Sequence, residues 1–146
     1  GVVLGAMAHT IAHGIPFTTA KRRDMIGYTT VGTNDLPRAA RFYDELLALL
    51  GAKRFMEFDR GIAWAVSPTA PGFGVMTPYD GKPATVGNGV MIALVVNSKD
   101  KVDAVHKKAL ELGARDEGPA GPRSDGFYAG YFRDLDGNKL NVFFMG

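Results

Sequence analysis

The sequence is built twice. A short β-type run, helix-capping residues, an amphipathic helix, a glycine stop and further extended runs occur once from Ile26 and again from Val90. The copies align by counting: Asn34 falls on Asn97, Phe42 on Val105 and Tyr43 on His106, each 63 positions apart. Gly51-Ala52 falls on Gly113-Ala114 after one deletion. Self-similarity of this kind means one supersecondary unit used twice.

In the first copy, Ile26 to Val31 reads as a strand, Thr33-Asn34-Asp35 supplies N-cap candidates, and Pro37 sits just inside the helix that follows. Leu36, Ala39, Phe42, Tyr43, Leu46 and Leu50 recur at helical spacing, and Gly51 stops the helix. Three extended segments come next, Arg54 to Phe58, Ile62 to Val66 and Phe73 to Thr77, separated by Asp59-Arg60-Gly61 and by Pro68 to Gly72. A Gly/Pro-rich link from Pro78 to Gly89 leads to the second copy. There Val90 to Val96 is the leading strand, Asn97-Ser98 caps, and Val102, Val105, Ala109 and Leu112 line the helix before Gly113. A strand near Ala114 to Glu117, a loop rich in Gly and Pro, and a closing β-hairpin complete it. Asp134-Leu-Asp-Gly-Asn138 is the hairpin turn, because Asp-Gly and Gly-Asn tolerate positive φ cheaply. The expected fold is α+β: two βαβββ modules forming curved mixed sheets around a cleft, with the helices outside and a ligand on the face away from them.

A chain of 146 residues, 46% hydrophobic and 22% charged, is one domain's worth with a full core. It has no cysteine, which excludes disulfides, thiolate metal sites and a Cys nucleophile. The net charge of +2 is spread among nearly equal numbers of cations and anions, so no nucleic-acid partner is expected. Gly1 to Ala8 is apolar but too short to span a bilayer, and Lys21-Arg22-Arg23 follows that run, the wrong order for a secretory signal. A cytoplasmic protein with no membrane partner is expected. Because Met25 looks like a start, residues 1–24 are read as an N-terminal extension, either vector-derived or an arm, and residues 25–146 as the domain, with modules at about 25–78 and 90–146.

Three runs carry a family resemblance: Tyr28-Thr-Thr-Val-Gly-Thr-Asn-Asp-Leu36 with Arg41-Phe-Tyr43, Gly87-Asn-Gly89 into Val90 to Val96, and Tyr131-Phe-Arg-Asp-Leu-Asp-Gly-Asn138. In order and spacing the chain resembles the glyoxalase, bleomycin-resistance and extradiol-dioxygenase superfamily, also called the vicinal oxygen chelate fold. The resemblance implies paired βαβββ modules and a homodimer. It also implies a divalent metal held by His, Glu or Gln near the start of each half's first strand and on each half's last strand. Carried over, those positions are Tyr28, Met91, Asn141 and one residue within Phe73 to Thr77, with Val75 favoured by matching the two closing strands.

No imidazole or carboxylate stands at any of them. Zn, Fe, Ni or Mn at such a site needs nitrogen or anionic oxygen donors, usually three from the protein. A thioether, a carboxamide and an apolar side chain do not supply them, so neither metal nor other cofactor is expected. Catalytic residues are not assigned. His106 is read as structural, as are Asp134 and Asp136 at the turn, and Glu57 and Asp59 as a half-solvated strand. His9 and His13, four apart, could chelate a metal only on a helix.

What remains at the cleft is aromatic and thioether surface: by alternation Tyr28, Thr30, Met91, Ala93, Tyr131, Arg133, Asn141, Phe143 and Met145, with Trp64 from the third strand. The ligand-binding set read from this is Tyr28, Trp64, Met91, Tyr131, Asn141 and Phe143, for a planar or amphipathic organic molecule. Arg123, placed in a loop, would reach over the rim toward an anionic group. The expected function is metal-independent small-molecule binding. The alternative is a lyase, isomerase or dioxygenase-type enzyme with relocated or non-standard active-site residues, and a structural module with a closed hollow is the third reading.

Overall fold

The computed structural model describes residues 24–146. Each half forms the expected unit. The first contains β1 (Tyr28–Gly32), α1 (Leu36–Ala48), β2 (Lys53–Phe58), β3 (Gly61–Ala65) and β4 (Gly72–Met76). The second contains β5 (Ile92–Val95), α2 (Lys99–Glu111), β6 (Arg115–Ser124), β7 (Phe127–Arg133) and β8 (Lys139–Met145). Two four-stranded sheets result, ordered β1-β4-β3-β2 and β5-β8-β7-β6, with the first pair of each parallel and the others antiparallel. Among the described residues no strand of one sheet pairs with a strand of the other, and β1 and β5 are edges. Among the described residues no helix is long and apolar enough to cross a membrane.

Local chemistry sets the element ends. Asp35 caps α1 by accepting from the Arg38 N–H at 3.1 Å, and Ser98 caps α2 by accepting from the Lys101 N–H at 3.1 Å. Each helix lies on one face of its own sheet, and the two helix-bearing faces join in one core that includes Tyr43, Leu46 and Val75 from the first half and Val105, Phe132 and Leu140 from the second. Fully burying a Leu or Phe contributes about 1.5–3 kcal/mol, so this seam holds the halves together.

The closing turn ties that seam at one end. Asp134 N–H donates to the Asn138 carbonyl at 2.9 Å and Gly137 adopts φ +88°, which completes the hairpin as expected. The turn then reaches into the first half. Tyr43 donates its hydroxyl to Asp134 at 2.6 Å, Thr33 donates to Asp136 at 2.6 Å, and Asn138 Nδ2 donates to the Gly32 carbonyl at 2.8 Å. Arg38 adds an ion pair with Asp136 at 3.3 Å. The acidic turn residues are therefore structural, and they lock one module onto the other.

Two stretches differ from expectation. The expected strand near Ala114 to Glu117 does not give way to a loop but runs on through the Gly/Pro-rich segment as the long strand β6, whose register against β7 shifts between Asp116 and Gly118, Gly118 and Gly121, and Pro122 and Ser124. An edge strand tolerates such bulges and prolines because one side of its backbone needs no partner. Arg123 accordingly stands on a strand. The leading strand of the second half is shorter than Val90 to Val96, covering Ile92–Val95.

Candidate functional site

Strand register decides which side chains share the helix-free faces. In the second sheet Asn141 sits directly between Ala93 on β5 and Tyr131 on β7, and Phe143 between Val95 and Ala129. Leu140 and Val142, of opposite parity, belong to the core. The helix-free wall is thus Ala93, Asn141, Tyr131, Phe143, Arg133 and Met145, as alternation predicts. Phe143 stacks on Phe127 at 5.5 Å between ring centroids and 22° between planes. Met91 stands just before β5 on the same parity and is partly exposed.

Asn141 is the polar centre of this wall. It is 2% exposed, yet its Oδ1 has no hydrogen-bond partner among the described residues. A buried carbonyl left unsatisfied costs about 1–3 kcal/mol, so native proteins rarely keep one without use for it.

The first sheet supplies the repeat-related face. Thr30 pairs with Gly74 as Ala93 pairs with Asn141, so Gly74 is the counterpart of Asn141. Val75, favoured from the sequence, is instead 1% exposed in the core, because the parity of β4 points it at α1. Tyr28 lies on the helix-free face of the edge strand, 63% exposed, with Gly72 and Phe55 beside it: a Cβ on Gly72 would stand 3.0 Å from Phe55 Cζ and 3.4 Å from Tyr28 Cβ. Glycine there keeps the face shallow.

Trp64 does not join either face. It pairs with Phe73, which pairs with Thr29 and not Tyr28, and it is 1% exposed. Its ring lies 5.8 Å from Tyr43 and its indole N–H donates to Asp44 at 2.9 Å, so it points at α1. The sequence could not reveal this parity, because it depends on how β3 aligns with β1 through β4. Trp64 does wall an apolar cavity of about 530 Å³ between the halves, with Leu47, Leu50, Phe73, Met91 and Leu94. The structure therefore brings Met91, Tyr131, Asn141 and Phe143 to one sheet, places Tyr28 on the other, and turns Trp64 inward.

The four positions at which the fold would hold a metal present a phenol (Tyr28), no side chain (Gly74), a thioether (Met91) and a carboxamide (Asn141). This donor set does not fit a divalent ion. Among the described residues no group of three or more His, Cys, Asp or Glu side chains could hold one. His9 and His13 lie outside the described residues.

His106 lies in the helix–sheet interface, its Nε2 3.1 Å from the Tyr131 carbonyl and 3.2 Å from Asp116 Oδ1. It is a packed histidine. Burial and the neighbouring Asp134 charge hold the Tyr43 hydroxyl well above its ordinary pKa, and burial raises Asp134 despite the hydrogen bonds it accepts. Arg133, the wall's third-strand cation, donates to Glu117 at 2.6 Å and holds that carboxyl below its usual range.

A pair of βαβββ units with a helix-free face on each defines a glyoxalase-type fold. The chain belongs to the Glyoxalase/Bleomycin resistance protein/Dioxygenase superfamily, whose family model matches residues 25–142. It is similar to a glyoxalase/bleomycin resistance protein from Albidiferax ferrireducens, at 36% identity and a TM-score of 0.74 over 82% of this chain and 98% of that one. Two more distant structures share the fold. One is lactoylglutathione lyase from Agrobacterium tumefaciens, at 19% identity and TM-score 0.61 over 84% of this chain and 95% of that one. The other is the fosfomycin resistance protein FosX from Mesorhizobium loti, at 18% and 0.62 over 85% and 93%. No curated protein matches the chain.

Proposed function

We propose that this protein is a metal-independent binder of aromatic or amphipathic organic molecules, acting as a homodimer in the cytoplasm. The observation that carries the reading is Asn141: a buried carbonyl with no partner, set in a wall of Tyr131, Phe143 and Met91 where metalloenzymes of this fold would need an acid or imidazole. A planar guest stacks on the aromatic and thioether surface while an N–H or O–H of the guest donates to Asn141 Oδ1. Binding by stacking and burial involves no bond making. Trp64 has no part in this wall.

The open edges support the homodimer. Among the described residues β1 and β5 each leave one side of the backbone unpaired, and Tyr28, Val95 and, just before β5, Val90 and Met91 are exposed apolar side chains. A second copy laying its first strand beside β5 covers both edges and adds Tyr28 to the wall. Isothermal titration of untagged protein with planar aromatic amines, in EDTA, tests the reading. Saturable binding that Asn141→Leu weakens about tenfold is expected. A stoichiometric metal in the purified protein, with binding abolished by EDTA, would overturn it in favour of an enzyme with relocated ligands.

A further inference from the structure

The wall is not electrically neutral. Arg123 of β6 places its guanidinium 5.4 Å from the Tyr131 ring centroid, and Lys139 of β8 places its ammonium 5.6 Å from the same centroid. Neither cation has a carboxylate partner among the described residues. The acidic groups nearby are committed elsewhere: Glu117 to Arg133 and Arg115, Asp116 to His106 and the Gly118 N–H.

Arg123 is also held in place. Its Nη2 donates to the Pro119 carbonyl at 2.6 Å and its Nη1 to the Gly121 carbonyl at 3.1 Å, across the bulges of β6. An arginine carries five N–H donors, so these bonds fix the fork and leave donors open. Gly118 makes room for it, since a Cβ there would stand 3.3 Å from Arg123 Nη2 and 3.3 Å from Tyr131 Cδ1. The bulges that place prolines in β6 therefore also fold this side chain back toward Tyr131. Next to Tyr131, across the β7–β8 ladder, is the unfilled Asn141 carbonyl.

Resting on the reading of this wall as the ligand site, we propose that its guests are planar organic anions. The oxyanion of the guest is held by Arg123 and Lys139 at the Tyr131 ring, and an N–H or O–H on the guest's aromatic body donates to Asn141. Two unpaired cations reward a carboxylate or sulfonate, and the acceptor-only Oδ1 rewards a donor beside the ring. A neutral or cationic aromatic amine of the same shape keeps the stacking and the bond to Asn141 but gains nothing from the two cations.

Two probes separate the terms: anilinonaphthalene sulfonate, an aromatic amine with an anionic group, and N-phenylnaphthylamine, the same amine without it. Fluorescence titration of the full chain is expected to give saturable binding of the sulfonate about tenfold tighter than the neutral amine. Arg123→Gln and Lys139→Gln should each remove most of that preference and leave the neutral amine unchanged, while Lys107→Gln, on the exposed side of α2, changes neither. The Lys139 ammonium makes no hydrogen bond among the described residues, so its variant keeps the test open if Arg123→Gln unfolds β6. Equal affinity for the two probes, with Tyr131→Ala weakening both, overturns the anion preference and leaves the site. Binding of both probes unaffected by Tyr131→Ala and Asn141→Leu overturns the site itself.

Discussion

Asn141 and Asp134 are two buried polar groups with opposite bookkeeping. Asn141 carries an unfilled acceptor, so replacing it with Leu should leave the ligand-free protein as stable as before or raise its stability by about 1 kcal/mol, read as an increase in Tm, even as binding is lost. Asp134 is filled: its carboxylate accepts from Tyr43, Asn138 Nδ2 and the N–H groups of Asp136 and Asn138. Removing one donor by Tyr43→Phe should cost about 1–2 kcal/mol in urea melts. Because burial raises Asp134 above 3.8, the folded state holds that proton more tightly than the unfolded chain. Its contribution to stability is therefore largest at low pH and declines as pH rises from 3.8 through the folded value, after which it is flat. Asp134→Asn should abolish that slope, measured as the difference between the two proteins' unfolding free energies across pH 4 to 6.

Helix α2 packs on β7 through a close fit of two residues. A Cβ on Gly130 would stand 2.8 Å from His106 Cδ2, so Gly130→Ala should destabilise by about 1–3 kcal/mol. In a His106→Ala background most of that cost should disappear, and a double-mutant cycle by chemical denaturation measures it. The repeat predicted this helix and its cap, because periodic apolar residues and Ser98 are local signals. Strand parity was less legible. Alternation placed Tyr131, Asn141 and Phe143 correctly, since β7 and β8 join through a turn readable as Asp-Gly-Asn. It misplaced Trp64, and matching the two closing strands misplaced Val75; both faces depend on a register set by nonlocal pairing of β1, β4 and β3. The length of β6 was hidden because, beyond the expected Ala114 to Glu117, Pro119, Gly121 and Pro122 look like loop until an edge position and three bulges excuse them, and with it went the position of Arg123.

Family membership and the twofold plan were readable from the order of motifs, but the manner in which the halves meet was not. The sequence suggested two modules of curved sheet with helices outside, and the fold has them; what it did not show is that both halves contribute to one buried core. The reach of the 134–138 turn into Gly32, Thr33 and Tyr43 was also invisible, since its residues read equally well as a simple reversal. If the open edges are covered by a second copy, sedimentation should give about twice the chain mass of 15.6 kDa. Val95→Lys, at a residue 66% exposed on β5, should shift that to the monomer.

The acidic turn has a consequence for how the molecule comes apart. One margin of the boundary between the repeats is buttoned by carboxylates, hydroxyls and amides, whereas around Leu50 and Leu94 the repeats meet across an apolar cavity, and the ion pair Lys108–Glu45 at 3.5 Å joins the two helices. Mild denaturant should therefore peel the repeats open from the Leu94 side, with amide exchange quickening there first and the buttoned margin serving as the pivot.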